Sequence, residues 1–536
     1  MSSSLTCGCS VCPAHAGRSS GGDAGWAGPA REHLESVVAW LDSPQAMDAG
    51  HGELEARLQV DAREQYRLLL QGHLDERAER ERRREEVTGS DGVTRRRVEN
   101  GHRRSLASVF GPVTVTRKAY RAAPARPIEH AETTSQTRSV RKAAGNLYPA
   151  DAVLNLPVGK HSAGLARLVA VEVARGSFGD AQAAVERASG VRIGKRQVED
   201  LARAAAVDTD AFYAARPARP CPDRVLGLQA DGKGIVMLPG SLRPATAAQA
   251  AKTSPKLATR LSPGQKHGRK RMAEIVAVYD LEPVPRTTDD IIAAPSTRRT
   301  RRSKTRTGPK VTGKWLAASV TDDIPAVIKS MFDEAERRDP AHERTWVALV
   351  DGNRQQIDAI RDQANTRGVT VTIVIDFIHV LEYLWKAAWT FFHPGDPDAE
   401  TWVADHARTI LNGRAIDAAA TIRHHADTAG FRGNERKGAD DAVTYLTNKA
   451  PYLDYATALA NGWQIATGII EGAARFLIKD RMDITGARWT TPGAEAVLRL
   501  RAVTANGDFD EYWQWHQQQE LRRNHLDHYQ NLALTA

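Results

Sequence analysis

Five short apolar runs between residues 225 and 375 dominate the hydrophobic pattern of the chain. They are rich in β-branched residues and are bounded by Gly, Pro or charged residues, as buried strands are. Helical spacing of apolar residues fills 324–337 and 353–366. The pattern therefore predicts three strands in a meander and then a strand–helix–strand unit, which is an α/β domain with a mixed five-stranded sheet flanked by helices. The runs lie in VLGLQADGKGIVML from residue 225, MAEIVAVYDLEPV (272–284), KWLAASV (314–320), WVALV (346–350) and VTIVI (371–375).

Upstream of this domain the pattern is helical except for one β-rich stretch. A helical pattern ends near residue 86 in DERAERERRREE, whose mixed signs predict a solvated helix face. Residues 87–121 contain an Asp91-Gly92 turn signal and alternating apolar and polar residues. They predict a small antiparallel sheet. Helical spacing returns over 140–215.

One part of the upstream helical region has helix-turn-helix spacing. The stretch SFGDAQAAVERASGVRIGKRQVEDLARAAA predicts a helix, a turn at Ser189-Gly190-Val191 and a second helix. Lys195 and Arg196 stand near the start of the second helix, where DNA-reading helices place their contacts. The same spacing also occurs in ordinary helical bundles, so both interpretations stay open.

Charge adds a polyanion partner to the picture. Lys and Arg number 74 and Asp and Glu number 65, so the formal net charge is +9. Two basic runs, KHGRKR (266–271) and RRTRRSKTRTGPK (298–310), bracket one predicted strand. They favour nucleic acid, because each neutralised phosphate releases a counterion. The alternative is a solvated basic loop.

The cysteine content and the hydropathy indicate in which cellular compartment the protein is expected. There are four cysteines, too few for a disulfide framework, and three lie in CGCSVCPAH. Cys7, Cys9, Cys12 and His15 form either a small zinc knot or a disordered, reduced tail. The chain contains no apolar stretch of bilayer length and no secretory signal pattern, so we expect a cytoplasmic protein without a membrane partner.

Three acids follow apolar runs or sit on a helix, and together they predict a metal site. Asp231 follows VLGLQA, Asp351 follows WVALV, and Glu471 lies in GIIEGAARFLIKDR. Neighbouring strands would bring the two aspartates together, and a helix across the sheet would add the glutamate. Three close carboxylates need a cation, and Mg²⁺ takes such oxygen ligands. Each acid also has a simpler interpretation: an Asp-Gly turn, a helix cap at Asp351, or a solvated glutamate.

A fourth acid stands in VTIVIDFIHVLEYLW, where Asp376 ends the last apolar run and His379 follows. Both residues are predicted either to support the site or, for Asp376, simply to cap the helix that starts at Phe377. On the Glu471 helix, Arg475 and Lys479 follow the glutamate at helical spacing.

Several of these segments resemble one known family. LQADGKG, ALVDGNRQQI, VIDFIHVLEYLW and TGIIEGAARFLIKDRMDITGARWTTPGAEAVLRLRA together are similar to the ISKra-type insertion-sequence transposases. That family belongs to the DDE superfamily, whose catalytic domain is RNase H-like. The resemblance covers roughly residues 105–515, and the block that ends in GARW is its most specific part.

The resemblance implies a catalytic, metal-binding triad of Asp231, Asp351 and Glu471. It implies cleavage and joining of double-stranded DNA at element ends and at a target, with Mg²⁺ or Mn²⁺ as cofactor. A homo-oligomer on DNA, associated with the nucleoid when bound, is expected. A non-catalytic DNA-binding protein derived from a transposase, or another RNase H-like nuclease, remains the alternative. The predicted DNA contacts are Lys195, Arg196, Arg475, Lys479 and Arg481.

With the resemblance, the chain divides into eight predicted segments. They are a disordered Cys-containing tail (1–30), an N-terminal helical region (31–86), a small antiparallel β region (87–130), a helical region with the helix-turn-helix-like unit (131–222), the first part of the RNase H-like catalytic core (223–379), a helical insertion (380–465), the last part of the core with the Glu helix (466–515) and a C-terminal tail (516–536).

Overall fold

The computed structural model describes residues 25–123, 145–220, 225–252, 269–292, 308–484 and 486–532. The N-terminal Cys and His cluster (Cys7 to His15) lies outside these residues, as do residues 266–268 and 298–307 of the two basic runs. Within the described ranges, no helix combines the length and the apolar character needed to cross a bilayer.

The chain forms two compact units. The first comprises Met1–Ser162, Ser189–Val191 and Asn524–Ala536, and the second comprises Ala163–Ala188 and Arg192–Arg523. The eight-segment division stays a prediction beside this coarser one. In the first unit the described elements are α1 (Gly28–Leu41), α2 (Pro44–Met47), α3 (His51–Arg80), β1 (Val87–Thr88), β2 (Thr94–Arg95), β3 (Arg97–Ser108), β4 (Gly111–Arg121) and α4 (Pro149–Val153).

The core of the first unit lies where α3 packs on the β3–β4 hairpin. The Gln71 side chain fixes α3 to β4, because its amide donates to the Thr114 carbonyl (3.0 Å) and its oxygen accepts the Thr114 N–H (2.8 Å). The predicted Asp91-Gly92 turn joins β1 to β2, with Gly92 at φ 72°. The buried apolar cluster consists of Leu74, Leu106, Val113, Val115 and Leu156.

The second unit contains the predicted mixed five-stranded sheet, in the order β7-β6-β5-β8-β9. The first three strands along the chain pair antiparallel, and β5–β8 and β8–β9 pair parallel. Every residue from Val225 to Ala230 is buried, which is why this central strand reads as an apolar run interrupted only by Gln229. The strands are β5 (Val225–Val236), β6 (Lys270–Glu282), β7 (Lys310–Ser319), β8 (Thr345–Val350) and β9 (Val371–Ile375).

Helices surround this sheet, and several of them begin at a side-chain cap. Asp323 accepts the Ala326 N–H (3.0 Å), and Asn353 accepts the Gln355 N–H (2.9 Å). The helices are α5 (Ala163–Arg175), α6 (Phe178–Ser189), α7 (Lys195–Ala205), α8 (Thr209–Ala214), α9 (Pro244–Lys252), α10 (Thr288–Ile291), α11 (Ile324–Arg338), α12 (Arg354–Arg367), α13 (Phe377–Phe391), α14 (Pro397–Leu411), α15 (Ala415–Thr428), α16 (Lys437–Lys449), α17 (Tyr455–Ala460), α18 (Gly468–Ala474), α19 (Asp480–Met482), α20 (Thr491–Ala505) and α21 (Phe509–Asn524).

The two faces of the sheet carry different helices. Arg338 of α11 donates to Asp280 of β6 (2.9 Å), and Gln356 of α12 donates to Glu274 of the same strand (2.6 Å). The backbone N–H of Ile470 in α18 instead donates to Gln229 of β5 (2.9 Å). Side chains alternate between faces along a strand, so α11 and α12 cover one face and α18 covers the other. We call the second of these the α18 face.

The predicted helix-turn-helix spacing corresponds to α6 and α7. Gly190 adopts φ 71° directly after α6, and α7 begins at Lys195, so the connection is longer than the predicted three-residue turn. The apolar side of α7, with Val198 and Ala202 buried, packs against α5 and α20. Lys195 and Arg196 are exposed in its first turn.

A glycine in the central strand gives a stability prediction. A Cβ added at Gly227 would lie 2.1 Å from Cε2 of Tyr279, whose hydroxyl is held by Gln229 (2.9 Å) and Gln464 (2.7 Å). The ring cannot move without breaking both hydrogen bonds, so Gly227→Ala should lower the free energy of unfolding by about 1–3 kcal/mol. Urea denaturation measures this change. Gly240→Ala, where nothing lies within 4 Å, is the control and should change stability little.

Candidate functional site

Two of the predicted acids stand side by side at the centre of the sheet. Ala230 of β5 pairs with Val350 of β8 in parallel register, and the next residues are Asp231 and Asp351. Alternation along each strand points both carboxylates to the α18 face, which is the face of Gln229. The structure therefore brings together the two aspartates that the sequence analysis singled out.

The Asp-Gly turn predicted as the simpler interpretation is absent at Asp231 and present at Asp351. Asp231 and Gly232 are not in a turn, because both pair with β6 inside a continuous strand, opposite Ile275 and Glu274. Asp351 does precede a turn, since its Oδ1 accepts the Asn353 N–H (2.8 Å) and Gly352 has φ 94°. The cap of α12 is Asn353 itself, so Asp351 is not the capping residue.

The carboxylates of Asp231 and Asp351 repel each other. Burial raises the pKa of the Asp231 carboxyl, and the negative charge of Asp351 raises it further. The neighbouring side chains of Lys233 and His379 oppose that shift of the Asp231 pKa. His379 Nδ1 lies 3.4 Å from the Glu382 carboxylate, and its supporting role stays a prediction.

Glu274 is a third carboxyl at this position that the sequence analysis missed. It is 5% exposed on the far side of the sheet from Asp231, with its Oε2 3.5 Å from the position that a Gly232 Cβ would take. Burial raises the pKa of Glu274 to about 8, and the charges of Asp231 and Asp351 add to this rise against the hydrogen bond from Gln356. The available signal was an acid inside the apolar run MAEIVAVY.

The helix that carries Glu471 is anchored to the same part of the sheet. Gln229, two residues before Asp231, is fully buried, and its Oε1 accepts the Ile470 N–H (2.9 Å). Its amide nitrogen donates to the Tyr279 hydroxyl (2.9 Å). A buried amide therefore couples the α18 backbone, one residue before Glu471, to the strand that carries Asp231.

Asp376 is a helix cap and also a second anchor for α18. Its Oδ1 accepts the Ile378 N–H (2.8 Å), so the capping interpretation describes its position. Its Oδ2 accepts a short hydrogen bond from the Thr467 hydroxyl, and the Thr467 carbonyl accepts the Glu471 N–H (3.0 Å). Asp376 is fully buried and therefore acts on the α18 face through Thr467 rather than through solvent.

Glu471 itself is exposed in the first turn of α18. Among the residues that the structure describes, no group of three His, Cys, Asp or Glu side chains lies close enough to hold a metal ion together. The structure thus pairs Asp231 with Asp351 and holds the Glu471 helix on the same face without closing the triad. The two aspartates still fit a divalent cation, because a cation would relieve the repulsion that raises the Asp231 pKa.

The basic residues beyond Glu471 do not follow the predicted regular helix. The Arg475 N–H donates to the Glu471 carbonyl, so Arg475 follows Glu471 at α-helical spacing, whereas Arg475–Lys479 forms a π-helical segment that takes Lys479 off that spacing. Both are exposed, and Arg475 Nε lies 3.6 Å from Asp480.

The prediction that Arg481 contacts DNA needs correction. Arg481 is 4% exposed, and its guanidinium lies over the rings of Phe178 (5.3 Å) and Trp489 (4.7 Å). Burial lowers the pKa of Arg481 to about 10. Arg481 therefore packs inside the second unit and is not presented to a DNA backbone.

Helix α16 provides a further border of the site. Lys449 Nζ donates to the Gly352 carbonyl (2.7 Å), directly after Asp351. Tyr445 stacks on Tyr383 with ring centroids 3.9 Å apart. Burial raises the pKa of Tyr445, and the charges of Asp351 and Asp376 contribute to that rise. The helical region after residue 380 therefore reaches the candidate site.

Comparisons with known proteins add little to this geometry. No protein-family model matches the chain, and no curated protein matches it. Among solved structures, a Drosophila P element transposase strand transfer complex is similar over 66% of this chain and 80% of that chain, with 7% sequence identity and a TM-score of 0.22. At that TM-score, the similarity supports no argument about the fold or activity of this chain.

Proposed function

We propose that the chain is a DDE transposase of an insertion sequence, and that its second unit contains an RNase H-like catalytic domain. The proposed reaction is metal-dependent cleavage of a DNA strand followed by transfer of the 3′ end to a target strand. The observation that carries the proposal is the parallel pairing of Ala230 with Val350, which places Asp231 and Asp351 next to each other.

Three further features support the proposal. The five-stranded sheet combines antiparallel pairing of its first three strands with parallel pairing of the last two, as expected for an RNase H-like domain. The helix of Glu471 is fixed to the face of the two aspartates by Gln229. The quoted segments resemble the ISKra-type family, and the chain carries a formal net charge of +9, which suits a DNA substrate.

The residues have distinct proposed roles. Asp231, Asp351 and Glu471 would hold divalent cations, Mg²⁺ or Mn²⁺, which activate the attacking oxygen and stabilise the leaving oxygen of a phosphodiester. Gln229 and Asp376 would act as positioning residues, because both hydrogen-bond the start of α18. Exposed Lys195, Arg196, Arg475 and Lys479 would contact DNA.

The proposal is tested by assaying the protein on DNA that carries the inverted repeats expected beside its reading frame. The DNA that flanks the reading frame should contain inverted repeats, and a duplex that ends in those repeats should be cut and joined to a plasmid by the protein with Mg²⁺. Denaturing gel electrophoresis resolves the cleaved strands and the joined product. No product with Mg²⁺ or Mn²⁺, from a protein that binds the duplex, would contradict the proposed activity.

A second candidate function is a DNA-binding protein that descends from a transposase and does not cleave. The observation that favours it is the exposed Glu471, which forms no metal-holding group with other acids of the described chain. A chain of this kind would bind the inverted repeats and give no strand cleavage with either cation.

Asp376→Ala should lower both the stability of the fold and the rate of cleavage. The fall in cleavage should be smaller than the fall caused by replacing a triad acid. The substitution removes the acceptor of the Ile378 N–H and of the buried Thr467 hydroxyl, so the free energy of unfolding should fall by about 1–3 kcal/mol. Cleavage should fall because α18 is less well fixed. Urea denaturation and the Mg²⁺ cleavage assay measure the two effects.

The matched control is Asp396→Ala, which removes the cap of α14 at the Asp398 N–H (3.0 Å). This variant should lose stability by about 1 kcal/mol and keep full cleavage. If Asp376→Ala abolished cleavage more completely than Asp351→Asn, the choice of Asp351 as the second triad acid would be wrong.

A further inference from the structure

In the first unit, a run of mixed charge supplies mainly its arginines to one cavity. The run DERAERERRREE (75–86) contains six acids and five arginines. A cavity of about 560 Å³ nevertheless has four of those arginines and one acid among its lining residues. We call this cavity the arginine groove. Its charged lining residues are Arg77, Arg80, Arg82, Arg84 and Glu81.

The groove has an apolar floor beneath its charged rim. The end of α3 and the extended segment that follows form one wall, and β4 and α4 supply the remainder. Arg77, Arg80 and Arg82 are exposed, so they present positive charge to solvent at the groove. The floor is lined by Leu74, Ala78, Val115, Thr116, Pro149, Ala150, Val153 and Leu154.

The acid of the groove is engaged by the protein. One oxygen of the Glu81 carboxylate accepts the Lys118 N–H (2.9 Å), and burial raises the pKa of Glu81 above its ordinary value. Arg80 forms an ion pair with Glu76. The remaining exposed guanidinium groups, Arg77 and Arg82, leave the groove with an excess of positive charge.

We infer that the arginine groove binds the sugar-phosphate backbone of double-stranded DNA. The inference rests on the proposed function for the identity of the polyanion. Arginine forks match phosphate oxygens bidentately, and the apolar floor suits the deoxyribose between phosphates. The groove is built from residues of the first unit, and none of its lining residues is a proposed catalytic acid, so it would hold DNA without taking part in cleavage.

The test compares two neighbouring arginines that differ in position. Arg82 lines the groove, whereas Arg83 is also exposed but does not line it. The full chain is titrated with a fluorescein-labelled duplex DNA in EDTA over a range of salt concentrations, and anisotropy gives the affinity. The Arg77→Gln/Arg82→Gln variant should bind several-fold more weakly, and the slope of log K against log salt should fall by about 1.8.

Two controls separate charge from folding. Arg83→Gln should bind within two-fold of the unchanged chain, and Arg77→Lys/Arg82→Lys should keep the salt slope. Equal losses in Arg82→Gln and Arg83→Gln, or no loss in the double variant, would overturn the inference. Displacement of the duplex by polyglutamate at the same charge concentration, with no preference for DNA, would make the groove a peptide site instead.

Binding in EDTA does not depend on strand cleavage, so the two proposals fail separately. A chain that loses affinity on Arg77→Gln/Arg82→Gln and never cleaves DNA supports the groove and contradicts the transposase. A chain that cleaves DNA with an unchanged salt slope supports the transposase and contradicts the groove.

Discussion

Replacing Asp351 with Asn is expected to lower Mg²⁺-dependent strand cleavage by at least ~100-fold, and Asp231→Asn and Glu471→Gln are expected to do the same. An amide keeps the size of the carboxyl group but removes the negative charge that holds a divalent cation. The rate of appearance of cleaved strand, measured on a duplex that ends in the inverted repeats, gives the effect.

The substitutions at Asp231 and Asp351 should lower cleavage without lowering the stability of the fold. Asp231→Asn and Asp351→Asn each relieve the repulsion that raises the Asp231 pKa, so in EDTA these variants should be at least as stable as the unchanged chain. Asp358→Asn, an acid of α12 with a side chain 54% exposed, is the control and should cleave normally. Full cleavage by any one of the three variants would remove that residue from the proposed triad.

Stability in the absence of divalent cations should decrease as the pH rises, and Glu274→Gln should weaken that dependence. The folded chain raises the pKa of Glu274 from 4.5 to about 8, so the folded state binds the proton more tightly than the unfolded state does. The resulting stabilisation is complete below pH 4.5 and is lost as the pH rises through 8. The loss is on the order of 4 kcal/mol over that window.

Urea denaturation in EDTA at pH 5, 6.5 and 8 measures this dependence. A Gln at position 274 cannot ionise, so the variant should lose much less stability between pH 5 and 8 than the unchanged chain. Glu382→Gln is the control, because the Glu382 side chain is 57% exposed. If the variant and the unchanged chain lost equal stability, Glu274 would not be the group that titrates.

The strands of the second unit were predictable because their signal is local. The central strands β5 and β8 are buried on both faces, so they read as apolar runs with strand propensity. The edge strand β9 is signalled instead by its β-branched sequence VTIVI. Asp231 and Asp351 followed from the same signal, since each comes directly after such a run. Their proximity needed only the pairing of two neighbouring strands.

The remainder of the site depends on contacts that no local pattern encodes. Glu274 lies in the interior of β6, and only its pairing with Gly232 places it behind Asp231. The π-helical segment after α18 reads as ordinary helical sequence, so no local pattern predicts the shift of Lys479 off the spacing of Glu471 and Arg475. Arg481 was predicted to contact DNA. Its burial against two aromatic rings is a tertiary contact that no local pattern encodes.

The hydrogen bond between Gln229 and Ile470 joins residues 241 positions apart, and this distance has a consequence for synthesis. A ribosome releases both strand aspartates well before it makes Thr467 and Glu471, and domains fold as units as the chain emerges. A nascent chain that stops before residue 467 contains the sheet but lacks the third acid. In the proposed transposase, cleavage therefore begins only after translation has passed α18, and an interrupted product cannot cut the DNA that encodes it.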